Sequence, residues 1–186
     1  MKKLNQFFVR PGIILTAILL SSTVFLSSCE PQPLNEPVLE LSSELNVVTA
    51  NQRSSKALLN KELAELRAAV AQFRDFEVAI AAGYEILPPP GDYVPQMGVH
   101  YINFSLVDEN FEITKPEVLI FAENEDGEMR FVGVEYATPE TTPKPEGFTG
   151  STDEWVINGM YHVWTLHVWV GLHNPNGIFA MNNPRL

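Results

Sequence analysis

Between residues 54 and 82, apolar residues recur every three or four positions, which is the spacing of one face of an α-helix. This apolar stripe consists of Leu59, Leu63, Leu66, Val70 and Phe73. Ser54 or Ser55 is suited to cap the start of the helix, and Gly83 is suited to end it in a left-handed turn. The pattern predicts one long helix over residues 54–82 whose apolar stripe packs against the core.

Beyond the Pro88–Pro90 run the spacing changes to that of strands. Segments with alternating or β-branched character cover residues 97–104, 117–122, 129–137 and 161–173. The polar turn at residues 123–128 predicts an antiparallel hairpin between the second and third segments. Residues 130–136 are apolar on both sides, which predicts a strand in the middle of the sheet. One helix followed by sequential strands predicts an α+β fold with a mostly antiparallel sheet.

A long loop rich in proline, threonine and acidic residues covers residues 138–154. Loops of this length inside a domain are often functional lids, or they are disordered. The composition of this loop agrees with both interpretations.

The amino-terminal segment has the layout of a secretory signal. Lys2, Lys3 and Arg10 precede an apolar run over residues 12–26. This run has about 15 residues, fewer than the roughly 20 that a membrane-spanning helix needs. A signal peptide is therefore the stronger prediction.

The apolar run ends in Leu26-Ser27-Ser28-Cys29, which contains the only cysteine of the chain. This tetrapeptide resembles the lipobox of bacterial lipoproteins. The resemblance implies that the Cys29 sulfur carries a diacylglyceryl group and that cleavage makes Cys29 the new amino terminus. A buried or free thiol is the alternative.

The lipobox interpretation divides the chain into a signal peptide over residues 1–28, a lipid-anchored flexible tether over 29–53 and a single α+β domain over 54–186. It implies an extracytoplasmic protein whose membrane partner is a bacterial bilayer, reached through the lipid on Cys29. Several acyl chains would make this anchoring effectively permanent.

The chain is acidic, with 23 acidic and 12 basic residues and a net charge of −11. Loss of the predicted signal peptide removes three basic residues and no acidic one, which leaves a net charge of −14. Such a balance repels the phosphates of DNA and RNA, so nucleic acid is not an expected partner. One cysteine also excludes a disulfide within the chain.

All four histidines and all three tryptophans lie in the predicted strand region. If residues 161–173 form one straight strand, successive side chains alternate between its two faces. The face expected to meet the core carries His162, Trp164, Leu166, Val168, Val170 and Leu172. His167, Trp169 and His173 then share the opposite face.

His167 and His173 cannot bind one ion in such a strand, because six residues at about 3.3 Å each separate them by roughly 20 Å. Ligands from different strands are required, and His100 and Glu135 are the candidates to meet His167. Two imidazoles and one carboxylate suit a divalent transition metal such as Zn, Cu or Fe. Two other interpretations stay open, namely buried polar groups that fix strand register and a metal-free pocket for a small ligand.

Common catalytic motifs are missing from the sequence. It has no His-Glu-x-x-His, no glycine-rich phosphate loop that opens a helix and no Gly-x-Ser-x-Gly. A nucleophilic cysteine is excluded if Cys29 carries lipid. Enzymatic activity is therefore undecided by motif.

Several segments are similar to a family of uncharacterised bacterial exported proteins. They cover residues 81–84, 97–103, 116–119, 132–136, 166–169 and 173–177. The resemblance extends over about residues 64–184 and implies a domain boundary, but no activity, substrate or cofactor.

Three functions are compatible with the sequence. The first is binding of a small ligand or metal ion in a pocket formed by His100, Glu135, His167, Trp169 and His173, with residues 138–154 as a candidate lid. The second is a metal-dependent hydrolase or oxidase that uses the same residues. The third is a structural or interaction protein of the cell envelope without a small-molecule site.

Overall fold

The computed structural model describes the backbone of residues 38–186 except Ser151, and side chains from Leu45 onward. The predicted signal peptide, Cys29 and the first part of the predicted tether lie outside the described residues. No helix within the described range is long and apolar enough to cross a membrane.

The helical region begins earlier than predicted and is divided into parts. Helix α1 covers Val38–Ala69, a 3₁₀ turn covers Ala71–Arg74, and helix α2 covers Phe76–Ala81. Most of the segment predicted as a flexible tether is therefore helical, and the predicted single helix over 54–82 is wrong in its bounds.

The break between the two helices has a local cause at Asp75. Asp75 has an extended backbone, with φ −85° and ψ 113°, and its carboxylate accepts a hydrogen bond from the Glu77 amide at 3.1 Å. This is an N-cap, which starts a new helix at Phe76. Gly83 ends the helical region with φ +90°, as predicted.

Seven strands follow in one antiparallel sheet. They are β1 Glu85–Ile86, β2 Tyr93–Val94, β3 Gly98–Ile102, β4 Val118–Glu123, β5 Met129–Pro139, β6 Val156–Asn158 and β7 Val163–Val168. Their order is β1-β3-β4-β5-β7-β6, and β2 also pairs with β3. The α+β prediction is confirmed, and so is the hairpin, in which Val118 of β4 faces Glu135 of β5.

The main core lies between the helices and one face of the sheet. Its buried members include Leu63, Leu66, Val70 and Phe73 from the helical region and Leu119, Phe121, Val134, Tyr136, Leu166 and Val168 from the sheet. Leu45 and Val48, nearer the start of α1, are exposed. Among the described side chains of α1, those that pack on the sheet therefore lie in its carboxyl-terminal part.

The opposite face of the sheet carries two smaller apolar clusters. One contains Ile120, Val132, Trp169 and Leu172, and the other contains Leu87, Ile102 and Val118. Strand β5 is buried on both faces, as its apolar pattern predicted.

The predicted straight strand over 161–173 is wrong at both ends. His162 has φ +55° and is exposed, and β7 ends at Val168. After β7 the chain turns so that the amides of Gly171 and Leu172 both donate to the Val132 carbonyl. Leu172 consequently packs on the second face of the sheet instead of the core face with Leu166.

Gly171 makes this turn possible. A Cβ atom at this position would lie 2.7 Å from the Phe131 carbonyl oxygen, which is too close for any other residue. The close approach of two backbones therefore requires glycine here.

Candidate functional site

Three strands each contribute one polar side chain to the second face of the sheet. His100 lies on β3, Glu135 on β5 and His167 on β7. Glu135 and His167 are direct cross-strand partners, so their side chains share one face. His100 is separated from Glu135 by β4, a backbone distance of about 10 Å at normal strand spacing. The His100 and Glu135 side chains close this gap by reaching over β4.

The three side chains meet closely. His100 Nε2 lies 3.8 Å from one Glu135 oxygen, and His167 Nδ1 lies 3.9 Å from the other. The two imidazole rings are 5.8 Å apart between centroids and nearly perpendicular. Both nitrogen–oxygen distances are longer than a hydrogen bond, so the carboxylate lies between the two rings and is hydrogen-bonded to neither.

All three side chains are buried, with residue exposures of 3% for His100, 7% for Glu135 and 4% for His167. The remaining ring nitrogens, His100 Nδ1 and His167 Nε2, are also buried and have no hydrogen-bond partner. Buried polar atoms in proteins are normally hydrogen-bonded. The protein itself therefore supplies no hydrogen-bond partner for these two nitrogens.

Burial shifts the protonation of the cluster toward neutral forms. It lowers the pKa of His167 to about 4. Burial also lowers the pKa of His100, although the Glu135 carboxylate and the carbonyls of Gly91 and Asp92 act in the opposite direction. Burial raises the pKa of Glu135, opposed by His100 and by the Thr165 hydroxyl. Both imidazoles are held in the neutral form, which is the form that binds metals.

The cluster can supply three ligands to one metal ion. One ligand atom from each residue lies within 4.8 Å of the others. Ligand atoms bonded at about 2.1 Å in a tetrahedral site are about 3.4 Å apart. The three side chains would therefore have to approach one another by up to about 1.4 Å to bind one ion.

Two backbone carbonyl groups could orient the His100 ring if it bound a metal ion. The carbonyl groups of Gly91 and Asp92 lie near its ring, although neither accepts a hydrogen bond from Nδ1. Metal-bound histidines usually donate their other ring nitrogen to such a group. A hydrogen bond from Nδ1 to one of these carbonyls would leave Nε2 available to bind a metal ion.

A cavity of about 300 Å³ opens onto the cluster. Its wall includes His100, Glu135 and His167 together with Gly91, Met97, Asn158, Tyr161, Thr165 and Met181. A second cavity of about 340 Å³ shares Leu87, Glu135, Asn158, Tyr161 and Thr165 with the first. The candidate ligands therefore face space that a small molecule can enter.

Trp169 contacts His167 but does not line the cavity at the cluster. Its indole stacks on the His167 ring, with centroids 6.0 Å apart and planes 17° from parallel, and its Nε1 donates to the Ala180 carbonyl at 2.6 Å. It thereby supports the orientation of His167. The prediction that Trp169 and His167 share one face of the sheet is confirmed.

His173 does not join the cluster. It is exposed, lies beyond the end of β7 and lines a different surface depression with Trp169 and Asn174. The alternation rule that grouped it with His167 fails because the chain turns at residues 169–172.

The loop at residues 138–154 does not close over the cluster. None of its described residues lines either cavity. Phe148 is buried in the main core, and the Thr149 amide donates to the Glu62 carboxylate at 2.8 Å. The loop is therefore attached to the helical side of the sheet, opposite the cavities, and the lid prediction is wrong.

Sequence reasoning missed the wall residues Asn158, Tyr161 and Thr165. Thr165 could have been found by strand alternation, because it lies two residues from His167 on the same face. Asn158 and Tyr161 lie in and after the short edge strand β6, which the sequence pattern did not indicate.

Comparison with models of known protein families, with curated proteins and with solved structures found no match. The similarity to bacterial exported proteins stays a prediction. The function of the site is therefore inferred from its geometry and not from a relative.

Proposed function

We propose that this protein is a lipid-anchored extracytoplasmic protein that binds one divalent transition-metal ion through His100, Glu135 and His167. The observation that carries the proposal is the convergence of three buried ligating groups from three strands on one cavity. Two neutral imidazoles and one carboxylate suit Zn, Fe or Cu. A protein of this kind would bind the ion, or present it to a small ligand, outside the cytoplasm.

Metal titration of the purified protein tests the proposal. Zn²⁺, Cu²⁺ and Fe²⁺ are each titrated by calorimetry, and bound metal is quantified by elemental analysis. We expect one ion per chain for at least one of the three metals. Binding to the folded state also raises the thermal midpoint of unfolding as metal concentration increases.

His167→Gln is the informative variant, and His162→Gln is its matched control. Each variant removes one imidazole, but His162 is exposed and hydrogen-bonded to Glu140 at 2.7 Å. Loss of an outer partner of a metal ligand already lowers affinity about 10- to 100-fold. We therefore expect His167→Gln to weaken binding by more than about a hundredfold and His162→Gln to leave it unchanged. Equal weakening in both, or no uptake of any metal, would show that the cluster is not a metal site.

A metal-dependent enzyme is the second candidate, and one observation favours it. Catalytic zinc sites have three protein ligands and an open position, whereas structural sites are closed by four. Three ligands beside a cavity match the open arrangement. Ester hydrolysis by the zinc-loaded protein that disappears in Glu135→Gln and persists in His162→Gln would support this function.

A further inference from the structure

The second cavity, which adjoins the cluster of His100, Glu135 and His167, is lined by apolar side chains, whereas the cluster is polar. Its wall is formed mainly by Leu87, Ile102, Phe104, Val107, Ala137 and Val163. Glu135 is the only charged residue in this wall and is at the same time a member of the cluster. We call this space the apolar chamber.

The apolar chamber is open to solvent and large enough for a small molecule. Phe104, on its wall, is 53% exposed, so the chamber is open to solvent at that side. Its volume of about 340 Å³ lies at the lower end of the range for small-molecule sites. A space with this wall favours an apolar occupant, because burial of apolar surface drives binding.

The chamber and the cavity at the cluster are adjacent, because Glu135, Tyr161 and Thr165 belong to both walls. A molecule bound at Glu135 therefore lies at the border of both spaces. Two neutral imidazoles, one carboxylate and a divalent cation carry a net charge of +1, which favours an anionic head group with an oxygen donor.

We infer that the ligand of this site is a small amphipathic molecule whose oxygen-donor head group lies at His100, Glu135 and His167 and whose apolar body fills the chamber. This inference rests on the proposed metal function. It adds the chemical class of the ligand, which the metal cluster alone does not define.

Two hydroxamates that differ only in chain length test the inference. Acetohydroxamate and octanohydroxamate have the same metal-binding head, and only the second has an apolar chain that can enter the chamber. Each buried methylene group strengthens binding by roughly fourfold. We expect the zinc-loaded protein to bind octanohydroxamate at least about tenfold more tightly by calorimetry.

Val107→Trp fills the chamber from a partly exposed loop, and Val78→Trp is its matched control on the exposed side of α2. We expect Val107→Trp to abolish the chain-length preference while zinc content and acetohydroxamate affinity stay unchanged. Val78→Trp should keep the preference. If Val107→Trp does not fold, Phe104→Ser removes an exposed part of the chamber wall and should reduce the preference.

The outcomes separate the two hypotheses. If zinc binds but both hydroxamates bind equally, the inference is overturned and the metal proposal stands. If zinc does not bind, the metal proposal fails, and the same pair is titrated against the metal-free protein. A chain-length preference that Val107→Trp removes would then still support the apolar chamber, whereas equal binding would overturn that as well.

Discussion

Glu117 is a buried carboxylate outside the candidate site, and it should make stability depend on pH. It immediately precedes β4, has 2% exposure, and accepts a hydrogen bond from the Ala137 amide at 3.0 Å. The strand ladder explains its position. Pro116 would be the next partner of Ala137, but its carbonyl accepts from the Tyr84 hydroxyl. The Glu117 side chain provides the missing acceptor.

Burial is the main cause that raises the pKa of Glu117 from 4.5 to about 7, with smaller contributions from Asp108 and Glu112. The hydrogen bond from Ala137 acts in the opposite direction. Glu117 in turn adds to the raised pKa values of the neighbouring hydroxyls of Tyr84 and Tyr136, which burial mainly causes. Those hydroxyls therefore stay protonated well above neutral pH.

The sign of the effect follows from proton uptake. Between pH 4.5 and about 7 the folded protein holds a proton on Glu117 that the unfolded chain has released. Stability therefore falls as pH rises through this window. The gap between the two pKa values corresponds to about 3 kcal/mol, because each pH unit is worth about 1.4 kcal/mol.

Glu117→Gln isolates this effect. Its amide oxygen can still accept from Ala137, but it cannot titrate. Urea unfolding, followed by tryptophan fluorescence at several pH values between 4.5 and about 7, gives the free energy of unfolding by linear extrapolation. We expect the wild type to lose about 3 kcal/mol relative to the variant across this range.

Glu125→Gln, in the exposed turn between β4 and β5, is the control for loss of one charge. It should follow the wild-type pH profile. Parallel profiles for the wild type and Glu117→Gln would refute the argument, because they would mean that Glu117 titrates alike in the folded and unfolded chains.

Three further predictions concern the anchor, the core and the cluster. Cys29→Ser should release the protein from membranes, and continued sedimentation with them in cell fractionation would contradict the lipoprotein assignment. Leu66→Ala should lower the free energy of unfolding by about 2–5 kcal/mol in the same urea assay, because Leu66 is fully buried. Leu58→Ala, at a half-exposed position, is the control and should change the free energy of unfolding by less than about 0.5 kcal/mol. We expect the thermal midpoint of the metal-free protein to stay equal or rise when leucine replaces His100, Glu135 and His167 together, because polar groups buried without hydrogen bonds oppose folding. A large decrease in the midpoint would favour a structural role for the cluster.

Local pattern predicted the elements whose causes are local. The apolar stripe from Leu59 to Phe73 indicated a packed helical region, and Gly83 its end. The hairpin was predictable because its turn and both its strands are adjacent in sequence. The helix break was not, because the capping role of Asp75 depends on a backbone conformation that an exposed aspartate does not reveal.

Long-range pairing determined the rest. Residue type made His100 and Glu135 candidates to meet His167, but no spacing in the sequence encodes the strand order that places β3 and β5 on either side of β4. His173 was grouped with His167 on the assumption of a straight strand, which the backbone approach at Gly171 ends. Glu117 could not be singled out, because a chain with 23 acidic residues gives no sign of which one is buried.

The choice between a metal site and a register-fixing cluster depends on hydrogen bonds. A structural cluster stabilises a sheet when each buried polar atom has a partner, and each unpartnered atom costs about 1–3 kcal/mol. In this cluster Glu135 lies 3.8 Å and 3.9 Å from the two rings, and His100 Nδ1 and His167 Nε2 have no partner. A cation between the rings would be a common partner for His100 Nε2, His167 Nδ1 and the Glu135 carboxylate. His100 Nδ1 and His167 Nε2 lack a protein partner under either hypothesis. The metal hypothesis is therefore favoured by the three inward-facing groups, which lie side by side on one cavity without bonding one another.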